Sequence, residues 1–409
     1  MHNFIGKPRR LLRLFCLAFG VIPALPLALV VLSIRPFIWV RFGFFYADRI
    51  GHLVNDSSIY LALRKNDCNL PRCVDLFFLK GKVCNGFWIK YLKRQCLISP
   101  LIEPLFLVTK RLPFGQKHLL YPFRDTHGYG FPKQDVDYPV LDPGSFQDNY
   151  AFTDKDNNYG KEFLHKIGVE DVDRVVCLNV RDARYLESNF ERSDGGAYHS
   201  YRNSDIRDYE PVARWLAEKG YTVLRMGKAV ERPFVSAIEG IFDYSNSTLR
   251  SDFLDVWLSA NCRFMVSTGS GIDAIATTFD RSVAFVNAMP LIDINYWANC
   301  VWAPKHLAWK ASGEKLTLAE HINFPFNNTK KYDSAGLLVQ DLTSDEITET
   351  VFELVQRLDN TFEEDSTITQ KQEQFWELFF STTGYRKTPT DFKQQCFVSQ
   401  SFIESTKLK

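Results

Sequence analysis

The chain has 409 residues, of which 45% are hydrophobic and 24% are charged. This composition excludes an intrinsically disordered chain and indicates a globular protein with a substantial core. The formal net charge of +1 gives no overall attraction for nucleic acid, so no nucleic-acid partner is expected. None of the 9 cysteines forms a CxxC pair, which favours reduced thiols of a cytoplasmic protein over a zinc finger or a disulfide framework.

The N-terminus carries a membrane signal. Residues 14–34, LFCLAFGVIPALPLALVVLSI, contain no charged side chain, and about 20 apolar residues are enough to span a bilayer. Pro23 and Pro26 interrupt the stretch, and arginines flank it on both sides. The sequence therefore predicts a membrane anchor at residues 1–36 on the cytoplasmic side of a membrane, and both a span and an in-plane helix fit the pattern.

A first soluble domain is predicted over residues 37–125. The segment FIWVRFGFF is rich in β-branched and aromatic residues and predicts a strand. The stretch RIGHL (49–53) predicts a polar turn, and NDSSIYLALRK (55–65) predicts a helix that begins with capping residues. Further along, the patterns predict a strand at 73–83, a helix at 86–97, either a strand or a helix at 104–112, and a Gly- and Pro-rich linker at 126–160.

Strand and helix patterns alternate from residue 161 to residue 345, which predicts βα units and a parallel sheet. The predicted fold is α/β, with two Rossmann-like, doubly wound domains that follow the anchor helix. Residues 346–409 are predicted to form a helical tail that packs back onto the first domain. In the second domain the predicted strands are 174–182, 222–227, 241–245, 263–268 and 282–287, and the predicted helices include 210–221, 251–260 and 272–279.

The stretch STGSGID (267–273) places two glycines between a predicted strand and a predicted helix. Its residues are expected to present outward-pointing N–H groups and hydroxyls to an anion at the helix start. A ligand-free βα turn fits equally well. The G-x-G-x-x-A spacing also matches a dinucleotide fingerprint, although the turn comes late in its domain and the next strand does not end in an acid. The candidate ligand-binding residues in this turn are Thr268, Gly269, Ser270 and Gly271.

Three arginines lie at or near the ends of predicted strands. Arg181 follows a buried strand in NVRDARY, Arg202 lies in the polar loop HSYRNSDI, and Arg225 ends the strand 222–227. A guanidinium group keeps its charge and fits a phosphate with two hydrogen bonds, so these residues are candidate phosphate ligands. A salt bridge with Asp182 is the alternative interpretation for Arg181.

His52 lies in RIGHL, at the first predicted strand-to-helix turn. Histidine takes up a proton near neutral pH, so His52 is a candidate general base, although a structural histidine is the simpler interpretation. Two D-x-D pairs, Asp135–Asp137 in the linker and Asp171–Asp173 before a strand, are poorly placed to hold a metal. No metal and no cofactor are expected.

Several segments resemble a family of bacterial glycosyltransferases from surface-polysaccharide gene clusters. The resemblance rests on YADRIGHLVND, NVRDARYL, HSYRNSDIRDYEPVARWLAEKGYTVLRMG, DYSNSTLRSDFLDVWLSANCRFMVSTGSGI and AFVNAMPL, which together extend over residues 46–291. Their order is also similar to that of GT-B glycosyltransferases, which have two facing Rossmann-like domains.

This resemblance implies that the second domain holds a nucleotide sugar and the first domain the acceptor. It further implies that His52 is the base, that Arg181 and the glycine turn hold the donor diphosphate without a metal, and that Arg202 and Arg225 assist. The expected acceptor is a lipid-linked, lipopolysaccharide or capsule glycan at the cytoplasmic face of a bacterial inner membrane. An NAD-dependent oxidoreductase and a non-catalytic, membrane-associated glycan-assembly protein are the alternatives.

Overall fold

The computed structural model describes residues 21–66, 72–122, 150–189, 197–234, 238–294, 298–364, 366–383 and 396–407. The chain divides into two compact units, residues 1–129 and 130–409. The finer domain boundaries stay predictions. Of the predicted anchor, residues 1–20 lie outside the described part and residues 21–33 are helical (α1). Within the described ranges, no helix combines the length and the apolar character needed to span a bilayer.

The first unit contains a 4-stranded parallel sheet with the strand order β3-β2-β1-β4. Aromatic side chains of β1 and β2 form its core, where Phe44 and Phe78 pack on Phe106 of a covering helix. The elements are β1 (Trp39–Tyr46), α2 (Ile50–Asn66), β2 (Cys73–Lys80), α3 (Gly86–Leu92), β3 (Leu97–Ile98), α4 (Ile102–Thr109) and β4 (Leu119–Leu120).

Two local predictions in this unit are resolved by the structure. The predicted turn RIGHL was wrong, because α2 begins at Ile50 and includes His52. The reason is burial: Leu53 and Val54 are both 0% exposed, so packing on the sheet extends the helix through Gly51 toward its N-terminus. The segment 104–112, for which strand and helix were both open, is helical over Ile102–Thr109.

The second unit contains a 7-stranded sheet with the order β13-β10-β9-β8-β5-β6-β7, and all of its strand pairs are parallel. The predicted α/β class with parallel sheets is therefore confirmed. The chain runs from β5 outward to β7 and then returns to the other side of β5 with β8. This reversal makes the gap between β5 and β8 the topological switch point of the sheet. The strands are β5 (Val175–Asn179), β6 (Thr222–Arg225), β7 (Ile241–Phe242), β8 (Phe264–Ser267), β9 (Ser282–Val286), β10 (Cys300–Ala303) and β13 (Cys396–Val398).

The central strands are continuous apolar runs because helices cover both faces of the sheet. Every residue of β5, β8 and β9 is buried. A smaller antiparallel pair, β11 with β12, completes the unit. The remaining elements are α5 (Asp154–Lys166), α6 (Arg184–Asn189), α7 (Glu210–Glu218), α8 (Asp252–Asn261), α9 (Asp273–Thr278), β11 (His306–Trp309), α10 (Leu318–Asn323), α11 (Thr329–Ser334), β12 (Leu337–Gln340), α12 (Ser344–Leu358), α13 (Ser366–Thr383) and α14 (Gln400–Ser405).

The predicted helical tail belongs to the second unit and is not purely helical. Helix α12 packs on β9 and β10. Strand β13 then pairs with β10 in parallel, with Cys300 opposite Cys396. The tail therefore completes the sheet of its own unit, and its packing on the first domain stays a prediction.

Candidate functional site

The switch point brings together two strand ends that the sequence left separate. Asn179 ends β5 and lies opposite Ser267, which ends β8. The Asn179 side-chain amide donates to the Ser267 hydroxyl at 3.2 Å and to the Ser270 hydroxyl at 2.5 Å. The backbone N–H of Arg181 donates to the Thr268 hydroxyl at 2.9 Å. Arg181 and the glycine turn therefore meet at the crevice where parallel α/β sheets bind ligands.

The backbone amides of the turn are not directed outward, contrary to expectation. Ser270 and Gly271 donate their N–H groups to the carboxylate of Asp273, at 2.8 and 3.2 Å, and the Ser267 hydroxyl donates to the same carboxylate at 2.7 Å. The Gly269 N–H donates to the Ser267 hydroxyl at 3.2 Å. The turn therefore carries its own anion, because Asp273 occupies the position that a phosphate takes at a helix start.

The position of the turn in its domain weakens the dinucleotide interpretation. The G-x-G-x-x-A turn follows β8, which is the fourth strand of its sheet along the chain, whereas the fingerprint belongs to the first βα turn. Asn287, which follows the next strand, is fully buried and bonded to Tyr209 and to the backbone of Leu342. The side-chain amide of Asn287 is therefore bonded within the core and does not face a ribose site.

Arg202 lies against the turn from another direction. Its Nη2 group donates to the carbonyl of Gly269, and its Nε is buried with no hydrogen-bond partner among the described residues. The carboxyl of Asp293 lies near this guanidinium. Burial raises the pKa of Asp293 to about 6, and the nearby charge of Arg202 limits that rise. Arg202 is thus a partly desolvated cation with a donor left for a ligand.

Asn203 connects Arg181 with a second cation, Lys305. Its side-chain oxygen accepts from Arg181 Nε at 3.3 Å, and its backbone carbonyl accepts from Lys305 Nζ at 2.5 Å. Lys305 is 2% exposed and also pairs with Asp341 at 2.6 Å. Burial lowers the pKa of Lys305, although Asp341 acts in the opposite direction.

Arg225 lies at the end of β6 and is 1% exposed. Its Nη1 donates to the carbonyl of Met226 at 3.0 Å, its Nη2 lies 3.8 Å from the carboxylate of Asp182, and its Nε has no hydrogen-bond partner among the described residues. Gly227 permits this close packing, since a Cβ there would lie 2.9 Å from Arg225 Nη1. Burial lowers the pKa of Arg225, with Asp182 opposing the shift.

A cavity of about 270 Å³ opens beside these groups at the carboxyl edge of the sheet. Four carboxylates and two guanidinium groups line it, a set that suits a ligand with both hydroxyl and phosphate groups. Its wall is formed by Val180, Asp182, Asn203, Ser204, Asp205, Ile206, Arg225, Glu231, Arg232 and Asp341.

His52 belongs to the first unit and lies in the first turn of α2, beyond the carboxyl end of β1. It is half-buried, and its ring lies edge-on to Tyr46 at 6.5 Å. Strand β1 is flanked by β2 and β4, so His52 follows the strand at which the order of this sheet reverses. That is the location in which a parallel sheet places a reactive group.

Of the two D-x-D pairs, Asp171–Asp173 lies among the described residues. Asp171 caps a short 3₁₀ helix by accepting from the N–H of Asp173 at 2.9 Å, before β5 begins. Asp135–Asp137 lies outside the described residues. Elsewhere in the described ranges, no group of three or more His, Cys, Asp or Glu side chains is arranged to hold a metal ion.

Two residues of this site, Asp273 and Lys305, were not among the candidates predicted from the sequence, and the contacts of Asn203 and Asp293 were not predicted either. Asp273 carried a recognisable signal, since an acid in the first turn of a helix interacts favourably with the helix N-terminus. Lys305 follows β10, a strand that the sequence did not predict. Asn203 and Asp293 lie in irregular segments, where spacing alone gives no contact partner.

No family model matches this chain, and a comparison with curated proteins gives no significant match. Among solved structures, the chain is similar to the ADP-heptose LPS heptosyltransferase II of E. coli, with 12% identity, a TM-score of 0.39, and coverage of 78% of this chain and 99% of that one. A family 9 glycosyl transferase from Veillonella parvula shares 11% identity over 64% of this chain and 84% of its own, with a TM-score of 0.36. The dodecameric iron-containing heptosyltransferase TibC, solved with ADP-D-beta-D-heptose, shares 13% identity over 78% of this chain and 76% of its own, with a TM-score of 0.36.

Proposed function

We propose that the chain is a glycosyltransferase that moves a sugar from a nucleotide-sugar donor to a lipid-linked, lipopolysaccharide or capsule glycan. One observation carries this proposal. Four cations from four segments, Arg181, Arg202, Arg225 and Lys305, lie at the carboxyl edge of a doubly wound sheet. Arg181 and Arg202 bond to the glycine turn, and Asn203 bridges Arg181 to Lys305. Two of these guanidinium groups have a buried Nε without a described partner. Such a cluster fits a diphosphate, whose charge disperses over several donors.

In the proposed reaction, the acceptor hydroxyl attacks the anomeric carbon of the donor sugar, and the bond from that carbon to the diphosphate oxygen breaks. Arg181 and Arg202 stabilise the negative charge that develops on the leaving diphosphate. The carboxylates of the 270 Å³ cavity accept hydrogen bonds from ribose hydroxyls. The arginines and Lys305 are proposed to replace a metal as the counter-charge, with inversion at the anomeric carbon.

The first unit is proposed to hold the acceptor, with His52 taking the proton from its hydroxyl. This assignment rests on the position of His52 at the reversal of the parallel sheet. Residues 1–36 are proposed to keep the chain at the cytoplasmic face of a bacterial inner membrane, where such acceptors are built. No nucleic acid and no cofactor take part in this proposal.

A thermal-shift experiment tests the donor site. UDP, GDP, ADP, CMP and NAD are added to the full chain at millimolar concentration, and a nucleoside diphosphate is expected to raise the melting temperature. A ligand at 100 times its Kd adds about 2.7 kcal/mol to the free energy of unfolding. Arg181→Gln and Arg202→Gln should each reduce the stabilisation strongly. Arg214→Gln is the matched control, because Arg214 is exposed and pairs only with Glu210 on its own helix in the described contacts.

Stabilisation by NAD alone would overturn the proposal in favour of an oxidoreductase. The scaffold alternative is tested in cells, where His52→Ala and Arg181→Ala should abolish glycan production while the protein stays folded. Production that continues unchanged in both variants would support the non-catalytic interpretation instead.

A further inference from the structure

One surface of the first unit exposes large apolar side chains on helix α1. The helix buries Ala24 and Ala28, which are 2% and 0% exposed and pack on Val108 of α4. It exposes its larger aliphatic residues: Ile22 is 74% and Leu25 is 46% exposed. This is the reverse of a water-facing helix, which buries its leucines. The further exposed members of this helix are Val21, Leu27, Leu29 and Val30.

Two aromatic side chains beyond the helix are exposed as well. Phe37 is 83% exposed and Phe114 is 79% exposed. Phe114 has φ 62°, a left-handed conformation that is rare for a bulky residue. The conformation is enforced by the next residue, since Gly115 packs so closely on the Thr109 carbonyl that a Cβ would lie 1.8 Å from it. A strained backbone that presents an aromatic ring to solvent points to a function for that ring.

Exposed cations lie beside these apolar groups. Arg35, Lys110, Arg111 and Lys117 are all exposed. No acid occurs in residues 21–47 or 104–122, so nothing in these two segments neutralises the four charges. The two segments are joined in the fold, because Trp39 Nε1 donates to the Lys117 carbonyl at 3.1 Å. We call this set of residues on α1, 35–37 and 110–117 the basic apolar face.

A cavity of about 450 Å³ opens within the face, lined by Leu32, Arg35, Pro36, Pro113, Phe114 and His118. His118 is 0% exposed, and its Nδ1 donates to the Val40 carbonyl at 2.6 Å. The neutral ring therefore leaves Nε2 as an acceptor, and this atom is buried without a hydrogen-bond partner among the described residues. The cavity thus combines a cation, an unused acceptor and apolar walls, which match the phosphate, hydroxyl and acyl parts of a phospholipid.

We propose that the basic apolar face binds an anionic phospholipid bilayer, with Phe37, Phe114 and the outer side of α1 among the acyl chains and one headgroup in the cavity. Charge complementarity selects the lipid surface over a protein partner, because aliphatic groups ringed by cations fit the boundary between acyl chains and anionic headgroups. The phosphate pairs with Arg35, and a headgroup hydroxyl donates to His118 Nε2. Helix α1, Arg35 and Pro36 belong to the proposed anchor at residues 1–36, so this inference rests on that part of the proposed function and extends it to residues 110–117. It does not depend on the transferase activity.

Co-sedimentation of the full chain with vesicles tests the proposal. Vesicles of phosphatidylcholine are compared with vesicles that also contain phosphatidylglycerol, without any sugar nucleotide. Phosphatidylglycerol should raise the partition coefficient, and added salt should remove that gain. Phe114→Asn should lower binding by about tenfold, since Asn tolerates the left-handed backbone and removes the apolar ring. Arg111→Glu with Lys117→Glu should lower binding at least about tenfold on phosphatidylglycerol and little on phosphatidylcholine alone.

Matched controls lie in the second unit. Leu249 is 41% exposed, so Leu249→Asn should leave vesicle binding unchanged. Lys155→Glu with Lys161→Glu reverses two exposed charges of α5 and should do the same. The proposal is overturned if Phe114→Asn and the double charge reversal bind phosphatidylglycerol vesicles as tightly as these controls. It is equally overturned if they change only the oligomeric state measured by light scattering, because the face would then be a contact between copies of the chain.

Discussion

At the scale of single residues, the donor site depends on charges that the protein keeps out of water. Arg225 is 1% exposed and its described carboxylate neighbour, Asp182, lies 3.8 Å away. Asp182 is itself bonded to the backbone N–H groups of Arg184 and Glu231, at 3.0 and 2.8 Å. Replacing both partners of a buried ion pair by apolar side chains is often neutral or stabilising, whereas removing one partner is destabilising, because the other charge stays buried without its partner.

Arg225→Met is therefore expected to lower the melting temperature, because Asp182 keeps its charge without this cation, and to weaken nucleoside diphosphate binding at least about tenfold. Both quantities come from one thermal-shift titration. Arg214→Met on the exposed side of α7 serves as the control. A variant that loses stability and keeps its affinity would assign Arg225 a structural role only.

His52→Gln tests the proposed base in the first unit. The expected result is a fall in kcat of about 10²- to 10⁴-fold with unchanged donor affinity, because the proton acceptor is removed while the second unit stays intact. Transfer of radiolabelled sugar to membrane acceptors gives the rate, and thermal shift gives the affinity. His165→Gln, on the exposed side of α5, is the matched control. Equal rates for His52→Gln and the wild type would remove His52 from the mechanism.

At the scale of secondary-structure elements, the turn between β8 and α9 is held closed by its own helix. Asp273 accepts from two backbone N–H groups and from the Ser267 hydroxyl. A phosphate at this turn would meet a carboxylate that already fills the position, so the hydroxyls and cations around the turn are its better contacts.

Asp273→Ala should release the N–H groups of Ser270 and Gly271. Loss of the buried carboxylate, which leaves its hydrogen-bond donors without a partner, is expected to cost about 1–3 kcal/mol of stability. The freed groups should then make the variant more responsive to inorganic pyrophosphate than the wild type is. Differential scanning calorimetry with and without pyrophosphate measures both effects. A variant that loses stability and gains no response would show that the amides stay inaccessible.

Elements with a clear period were predictable from the sequence, and those fixed by distant contacts were not. The helix predicted from residue 251 is confirmed, and the Ser251 hydroxyl caps α8 by accepting from the Leu254 N–H at 3.1 Å. The run RFMVST predicted β8 because its centre, residues 264–266, is apolar. By contrast, β13 pairs with a strand about a hundred residues earlier, and its short sequence carries no alternation. The contact between Arg181 and Thr268 was also not predictable from local sequence, since these residues become neighbours only through the order of the strands in the sheet.

At the scale of the whole molecule, buried titratable groups make stability depend on pH in opposing directions. Burial lowers the pKa of His321 to about 3, with His306 adding to the shift. The unfolded chain therefore binds this proton first as the pH falls below about 6.5, and the free energy of unfolding decreases. Burial raises the pKa of Asp255 and of Asp293 to about 6, so the folded chain binds those protons first and gains stability between about pH 6 and pH 4.

The variant His321→Gln separates the histidine contribution from that of the two aspartates. The free energy of unfolding of the wild type, relative to that of the variant, should fall by about 2 kcal/mol when the pH is lowered from 7.5 to 5. Urea unfolding at both pH values measures it. His165→Gln should show no such shift. A difference independent of pH would mean that His321 has the same pKa in the folded and the unfolded chain.

The position of β13 has a consequence for biosynthesis. Residues 396–398 are translated after every other described strand of the sheet, yet they pair with β10, whose four residues are all buried. Until β13 is made, a nascent chain exposes an open strand edge of the kind on which aggregates grow. Premature termination before residue 396 would therefore yield a chain that carries every residue of the proposed donor site but depends on chaperones for solubility.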